Sequence, residues 1–286
     1  NTYYPMIIAI IGAVLNVVLD LVFVYGVEGF IPAMNIEGAA YASLIAQVTM
    51  ALIALILLLK KTSISLKISL PFHEEIPNLL GMIGNLFIRT IALNIALYFA
   101  TAYATGYGNE YIAAYTIGLN LWLLGAFMID GYSSAGNILS GKLLGSKDYK
   151  TLVKLSIKLA KYGFFIGIII VIFGFVFYDF IGQIFTKDPL VLEQFYHVFW
   201  IVILTQPISA ITFIFDGMFK GMGEMKYLRN LLILSTGFVF IPTLLFFDWL
   251  DYKLVAIWIA FTLWILARGI PLIFKFRSKF LPLVKS

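Results

Sequence analysis

Five of the polar side chains inside the long apolar runs of this sequence are candidates for functional chemistry, which their types define. Arg89 and Asp130 are ionisable, Asn94 and Asn120 carry amides, and Asp216 carries a further charge. An ionisable group inside hydrocarbon costs at least about 2.5–3.5 kcal/mol, so it normally faces a partner or a hydrated cavity. These five residues are therefore the candidates for lining a polar cavity and for supporting ion coupling.

Arg89 and Asp130 have the spacing of a pair. Arg89 follows the start of its apolar run, near Ile76, by about thirteen residues, and Asp130 precedes Lys142 by about twelve. At a helical rise of about 1.5 Å per residue, the two groups lie about 20 and 18 Å from the same end of adjacent helices. We predict either an Arg89–Asp130 ion pair or one hydrated cavity lined by both. A purely structural ion pair that locks two helices is the alternative.

Asp216 lies near the end of a different run, about four residues before a basic loop and so about 6 Å from the membrane surface. It is predicted to be structural, as a helix cap or as the partner of a loop cation, with gating of the inner mouth as the alternative. Asn94 and Asn120 interrupt their runs near mid-span and are better placed to line a cavity. Pro207 and Pro242 break helical hydrogen bonding and are expected to be hinges or static kinks.

The residues do not support enzymatic chemistry. The sequence has no cysteine, and we interpret its 2 histidines, His73 and His197, as surface or interface residues and not as ligands. It also lacks the metalloprotease, nucleophile-elbow and P-loop motifs. We therefore predict that the protein is not an enzyme and uses no metal or bound cofactor.

Composition indicates that lipid is the solvent for much of the surface. Apolar residues make up 62% of the 286 positions, charged residues make up 12%, and the mean hydropathy is +0.97. Soluble domains have about 45–50% apolar and about 25% charged residues, and a chain of this length cannot bury such an excess in one core. The net charge of +5 is confined to short loops between apolar runs, so we predict an orientation signal and no nucleic-acid partner.

The elements that must position the polar residues are eight apolar segments, each long enough to cross a bilayer as a helix. Their limits are roughly 5–25, 38–59, 78–104, 112–140, 158–183, 192–219, 229–247 and 254–274. Short loops marked by glycine, proline and charged residues separate them. We predict an all-α, polytopic membrane protein.

The distribution of basic residues predicts the orientation of these segments. Of the 20 lysines and arginines, all but Lys187, Lys253 and Arg89 lie at alternate junctions or towards the C-terminal end. Basic residues concentrate on the cytoplasmic side of membrane proteins. The sequence therefore predicts that these junctions and the C-terminus face the cytoplasm.

The first two segments have the same layout as the last two: a run containing a glycine, an outer loop, and a second run. Such repeats are common in transporters, although coincidence is the alternative here. We predict that residues 1–60 are the last two helices of an N-terminal lobe and 78–286 a six-helix C-terminal lobe. Residues 61–77 would be a cytoplasmic linker between the lobes, and the intact protein would have twelve helices.

Several motifs in order carry a family resemblance. They are Asn16-x-x-x-Asp20, Arg89-Thr90, Leu121-Trp122-Leu123-Leu124, Ile129-Asp130-Gly131, Gly141-Lys142-Leu143-Leu144-Gly145, Asp216-Gly217-Met218-Phe219 and Arg268-Gly269. Together they resemble the multidrug and toxic compound extrusion (MATE) transporters, in particular the branch named for DNA-damage-inducible protein F.

The resemblance implies a bundle of two six-helix lobes around a central cavity, of which this chain supplies helices five to twelve. It implies export of organic, often cationic, compounds driven by inward movement of H⁺ or Na⁺. In this branch the principal proton-linked carboxylate lies on the first helix. The helix-seven carboxylate of other branches has no counterpart around Leu93. Arg89, Asp130 and Asp216 therefore carry over only as supporting polar residues.

We expect a monomer in the inner (plasma) membrane whose partners are a small organic substrate, a coupling cation and lipid. The alternative function is a flippase for lipid-linked saccharides or another amphiphile, because that group shares the broader superfamily architecture. A flippase should have more basic residues inside the membrane to hold a phosphate, and Arg89 is the one clear cation of that kind in the sequence.

Overall fold

The computed structural model describes residues 3–27, 30–61 and 74–285, which form two compact units, Asn1–His73 and Glu74–Ser286. In the described ranges all regular structure is helical, apart from one isolated bridge between Val27 and Ile31. The prediction of an all-α polytopic protein is confirmed. Most of the predicted linker, together with His73, lies outside the described residues.

The first unit is a helical hairpin of α1 (Tyr3–Tyr25) and α2 (Asn35–Lys61). The amide of Met34 donates to the carbonyl of Phe23 at 2.9 Å, which closes the connection. Gly12 and Gly38 lie where a side chain would overlap the other helix, so their small size permits close packing. Asn16 adds a hydrogen bond of 3.4 Å between the helices, from its amide to the Ser43 hydroxyl.

The second unit contains the remaining helices. They are α3 (Ile76–Tyr107), α4 (Asn109–Gly145), α5 (Tyr149–Val176), α6 (Tyr178–Phe185), α7 (Pro189–Leu204), α8 (Gln206–Gly221), α9 (Met225–Ser235), α10 (Ile241–Trp249), α11 (Leu254–Phe280) and α12 (Pro282–Lys285). Within the described chain, seven helices are long and apolar enough to cross a membrane, with α9 and α10 forming one of them. The pair α7 and α8 brings the number to eight when it is counted as one broken span, in agreement with the eight predicted segments.

Both prolines predicted to be hinges or kinks lie at irregularities in their spans. The axes of α7 and α8 differ by 49°. Pro207 is in the first turn of α8, where a backbone N–H has no helical acceptor, so the N–H that proline lacks costs no hydrogen bond. Pro242 is the second residue of α10 and lies just after a π-helical turn, Thr236–Phe240, that joins α9 to α10. Gly167 has no side chain, so α5 can pack directly against the backbone of Pro207 at the break between α7 and α8.

Small residues hold α4 against α8 along most of the length of α8. The hydroxyl of Ser133 donates to the carbonyl of Phe213 at 2.9 Å, and the hydroxyl of Ser140 donates to the carbonyl of Met218 at 2.9 Å. Gly217 faces Ser133 in the same interface, where a larger side chain would meet backbone atoms. This close packing fixes the rotation of both helices about their axes.

Candidate functional site

A buried carboxylate on α8 is the centre of the most polar site in the core of the second unit. Asp216 is 6% exposed, and both of its carboxylate oxygens accept hydrogen bonds from one nitrogen of Arg89 on α3. The distances from Arg89 Nη2 are 2.8 Å to Oδ1 and 2.7 Å to Oδ2. Because α3 packs mainly against α9 and α4, this ion pair is a principal link between α3 and α8.

Two further cations approach the same carboxylate, and with Arg89 and Asp216 they form what we call the Asp216 cluster. Lys220, one turn later on α8, places its Nζ 2.9 Å from Asp216 Oδ2. Arg268 on α11 places Nη2 3.6 Å from Oδ1. The cluster thus ties three helices that are separated in sequence.

Arg268 is held in place by its own helix and by the π-helical turn. Its guanidinium lies 4.6 Å from the centre of the Trp264 ring, a cation–π arrangement. The Trp264 Nε1 donates to the hydroxyl of Thr236 at 3.0 Å. Gly269 faces Thr212 and allows α11 to approach α8 closely enough for the arginine to reach Asp216.

The cluster contains one carboxylate and three cations, so the charges do not balance. Arg89 and Arg268 are both buried, and Lys220 is partly exposed at one edge. Arg89 Nε is buried and makes no hydrogen bond within the described chain. Removal of the single negative charge would therefore leave several cations facing one another in a low-dielectric environment, which is strongly unfavourable. The ion pairs of the cluster join α3, α8 and α11.

The predicted pairing of Arg89 with Asp130 is wrong. Arg89 pairs with Asp216, while Asp130 lies exposed on α4. Equal depth along two neighbouring helices does not determine which way each side chain points. Ile129 and Ser133 on α4 are buried, and Ser133 contacts α8, whereas Asp130, about 100° around the helix from Ile129, is exposed.

The remaining sequence candidates lie on the surface and not in the cluster. Asn94 on α3 is exposed, and its Nδ2 donates to the carbonyl of Thr90 at 2.9 Å. Asn120 on α4 is also exposed. With Asp130, these residues place three exposed polar groups near the middle of two membrane-crossing helices.

Sequence reasoning missed Arg268 as an intramembrane residue and counted it with the basic C-terminal end. The structure places it within α11 at 3% exposure. The available signal was an arginine followed by glycine, four residues after Trp264, inside a run that is otherwise apolar. The predicted structural role of Asp216 agrees with its partners, although these include two deep arginines and not only a loop cation.

Comparison with known proteins places this geometry in a family. The MatE family model matches residues 85–245, which include α4 and α8, both sides of the Arg89–Asp216 pair, and most of the second unit. This chain belongs to the MatE family. The resemblance to MATE transporters is therefore confirmed.

Relatives of this MatE chain come from plants and bacteria. It is 28% identical over 272 residues to Protein DETOXIFICATION 42 of Arabidopsis thaliana, covering 94% of this chain and 50% of that protein. It is 28% identical over 279 residues to DNA damage-inducible protein F of Escherichia coli, covering 94% of this chain and 58% of that protein. The MatE chain thus spans about half the length of these curated relatives.

Solved structures agree with the fold. An outward-facing multidrug resistance MATE family transporter of the MOP superfamily superposes with a TM-score of 0.84 at 24% identity, over 98% of this MatE chain and 63% of that one. A MATE transporter in the straight conformation gives a TM-score of 0.84 at 23% identity, with the same coverage of both chains. At this level of identity the likeness shows the fold.

Proposed function

We propose that the protein containing this MatE chain exports organic, often cationic, compounds across the cytoplasmic membrane, in exchange for H⁺ or Na⁺. The observation that carries the proposal is the exposed carboxylate of Asp130 near the middle of α4, a membrane-crossing helix. A charge at that depth is unfavourable against hydrocarbon, so Asp130 is expected to face water, a solute or a polar partner. Asn94 and Asn120 supply further polar groups at comparable depth for binding such a solute.

Alternating access is supported by the irregular spans. The 49° break between α7 and α8 and the π-helical turn before Pro242 interrupt two helices at positions where backbone bonds are weakest. Solved MATE structures are described as outward-facing, straight and bent, which is consistent with more than one conformation in those proteins. In this proposal the coupling cation binds one conformation more tightly and thereby shifts the population.

The direction of transport and the cargo are proposed by analogy. A relative 26% identical over 239 residues is the multidrug export protein MepA of Staphylococcus aureus. We place this protein as a monomer in the inner membrane with a cytoplasmic C-terminus, in accordance with its basic junctions. Arg89, Asp130 and Asp216 are assigned supporting roles, and the principal coupling carboxylate is not assigned.

The test is accumulation of a fluorescent organic cation in cells that express the full-length protein. The proton gradient and the sodium gradient are collapsed separately. Export should fall in one of the two treatments, which identifies the coupling ion, and should be unchanged in the other. Export that continues when both gradients are collapsed would reject ion coupling. Absence of export for every cation, with flipping of a labelled lipid-linked saccharide in vesicles, would favour the alternative function.

The flippase alternative gains little from the second intramembrane cation. Arg268 and Arg89 are both buried and both face Asp216, so neither presents its charge to a phosphate.

A further inference from the structure

A groove on the surface of the second unit lies outside the Asp216 cluster. Helices α5, α8 and α11 enclose a volume of about 550 Å³ there. Its floor is formed by Phe215 and Phe276, whose rings meet edge to face at 5.5 Å. Ile157 and Phe164 on α5 form one wall, and both are exposed. The groove is therefore a long apolar surface on helices that cross the membrane.

Two cations line this apolar groove. Lys161 on α5 and Arg277 on α11 are both exposed, and no Asp or Glu lies among the lining residues. Neither cation belongs to any ion pair in the described part of the chain. Arg277 differs in this from its neighbours Lys275 and Lys279, which both bind Glu224, at 3.1 and 2.6 Å.

Helix direction brings the two cations towards one level. The ring of Tyr149, at the start of α5, lies 6.0 Å from the ring of Phe280, at the end of α11, so these two helix ends are adjacent. Side chains lean towards the N-terminus of their helix. Lys161 lies twelve residues along α5 from Tyr149, and Arg277 lies three residues before Phe280. Their Cα atoms are therefore about 18 and 4.5 Å from this end along the helix axes, and this lean shortens the separation of about 13 Å between them.

We propose that this groove binds an anionic phospholipid, with an acyl chain along Phe164 and Phe276 and the phosphate between Lys161 and Arg277. Basic pockets between membrane helices on the cytoplasmic side are suited to anionic headgroups, and this end is the one that the sequence predicts to be cytoplasmic. A zwitterionic lipid also carries a phosphate, but its amine finds no carboxylate on the lining. The charge pattern thus selects lipids with a net negative headgroup.

The experiment uses the full-length protein purified in a neutral detergent and titrated with phosphatidylglycerol or with phosphatidylcholine of the same chain length. Native mass spectrometry counts the lipids bound. The wild type should prefer phosphatidylglycerol by about thirtyfold, the contribution expected of two basic groups near a lipid surface. The double variant K161Q/R277Q should lose this preference, while K150Q/K154Q, which removes two exposed lysines of α5 outside the groove, should keep it.

A second variant tests the apolar part of the site. Ile157→Trp fills the groove without changing its charge and should reduce binding of phosphatidylglycerol by at least about tenfold. A thermal unfolding scan of each variant confirms that it is folded. Equal binding of the two lipids by the wild type, retention of the preference in K161Q/R277Q, an equal loss in K150Q/K154Q, or full binding by Ile157→Trp would each overturn the proposal. None of these readouts depends on transport.

Discussion

Arg89 on α3 uses a single nitrogen to donate to both oxygens of Asp216 on α8, at 2.8 and 2.7 Å, across 127 positions of sequence. The pair is buried, and Lys220 and Arg268 approach the same carboxylate. Asp216 is therefore the one carboxylate shared by cations on three helices, α3, α8 and α11.

Asp216→Asn should destabilise the protein by about 3–5 kcal/mol, because it leaves the cluster cations without a counter-charge. The measurement is the thermal unfolding of the purified protein. Asp130→Asn is the matched control: it removes an exposed carboxylate and should change stability by less than about 0.5 kcal/mol. Equal losses in the two variants would show that Asp216 does not act as the counter-charge of the buried cations.

A double-mutant cycle distinguishes the observed partner from the one expected from sequence. Arg89→Met combined with Asp216→Leu should be less destabilising than the sum of the single changes, with a coupling energy of about 0.5–3 kcal/mol. The same cycle with Asp130→Leu in place of Asp216→Leu should give a coupling near zero, because Asp130 is exposed and Arg89 is bound to Asp216. Both cycles are read from unfolding midpoints, and a large Arg89–Asp130 coupling would contradict the structure.

Asp130→Asn should affect transport more than stability. A hydrogen bond to a charged group contributes about 1.5–3 kcal/mol, so loss of the charge should reduce export by at least about tenfold if Asp130 contacts substrate or the water around it. Export of an organic cation is measured at matched protein abundance, with Lys150→Gln as a surface control. Normal export by Asp130→Asn would remove this residue from the proposed path.

Glu224, in the turn between α8 and α9, should make stability depend on acid pH. The hydrogen bond from Lys279, with one from Lys275, holds the pKa of this carboxyl below its ordinary value. The charged form is therefore favoured by folding, and its contribution is present above the ordinary pKa and lost as pH falls through the lowered one. The effect should be about 1 kcal/mol or less, since the group is partly exposed.

The measurement for Glu224 is the melting temperature of the wild type and of Glu224→Gln between pH 7 and pH 3. The wild type should be more stable near neutral pH, and the two curves should converge at the acid end. A difference that stays constant over this range would mean that the carboxyl does not titrate with folding.

Gly217→Ala should separate α4 from α8 next to Asp216. A Cβ at this position would lie 2.5 Å from the carbonyl oxygen of Ser133. Relief of this overlap requires the backbone of one helix to move, which is costly. We expect a loss of about 1–3 kcal/mol in unfolding scans. Gly131→Ala is the control, because a Cβ there meets no atom of the described chain within 4 Å and should be neutral or stabilising. A neutral Gly217→Ala would mean that the two helices are not in close contact.

Much of the fold could be predicted from the sequence because lipid imposes a simple rule. A helix in hydrocarbon must satisfy its own backbone and present apolar side chains, so runs such as 38–59 and 254–274 could be identified as spans by length and composition alone. The orientation inferred from the basic junctions stays a prediction.

The sequence by itself also predicted the positions of Arg89, Asp130 and Asp216 along their helices, since a helix rises uniformly along its axis, although it misassigned Arg268. It did not determine rotation. Rotation was decided by the tertiary structure, in which helices pack closely at Gly217 and Gly269 and bury Asp216 and Arg268, while Asp130 is exposed. The position of a residue along its helix depends on that helix alone. The partner of its side chain depends on the facing surfaces of two helices, and those contacts exist only in the folded chain.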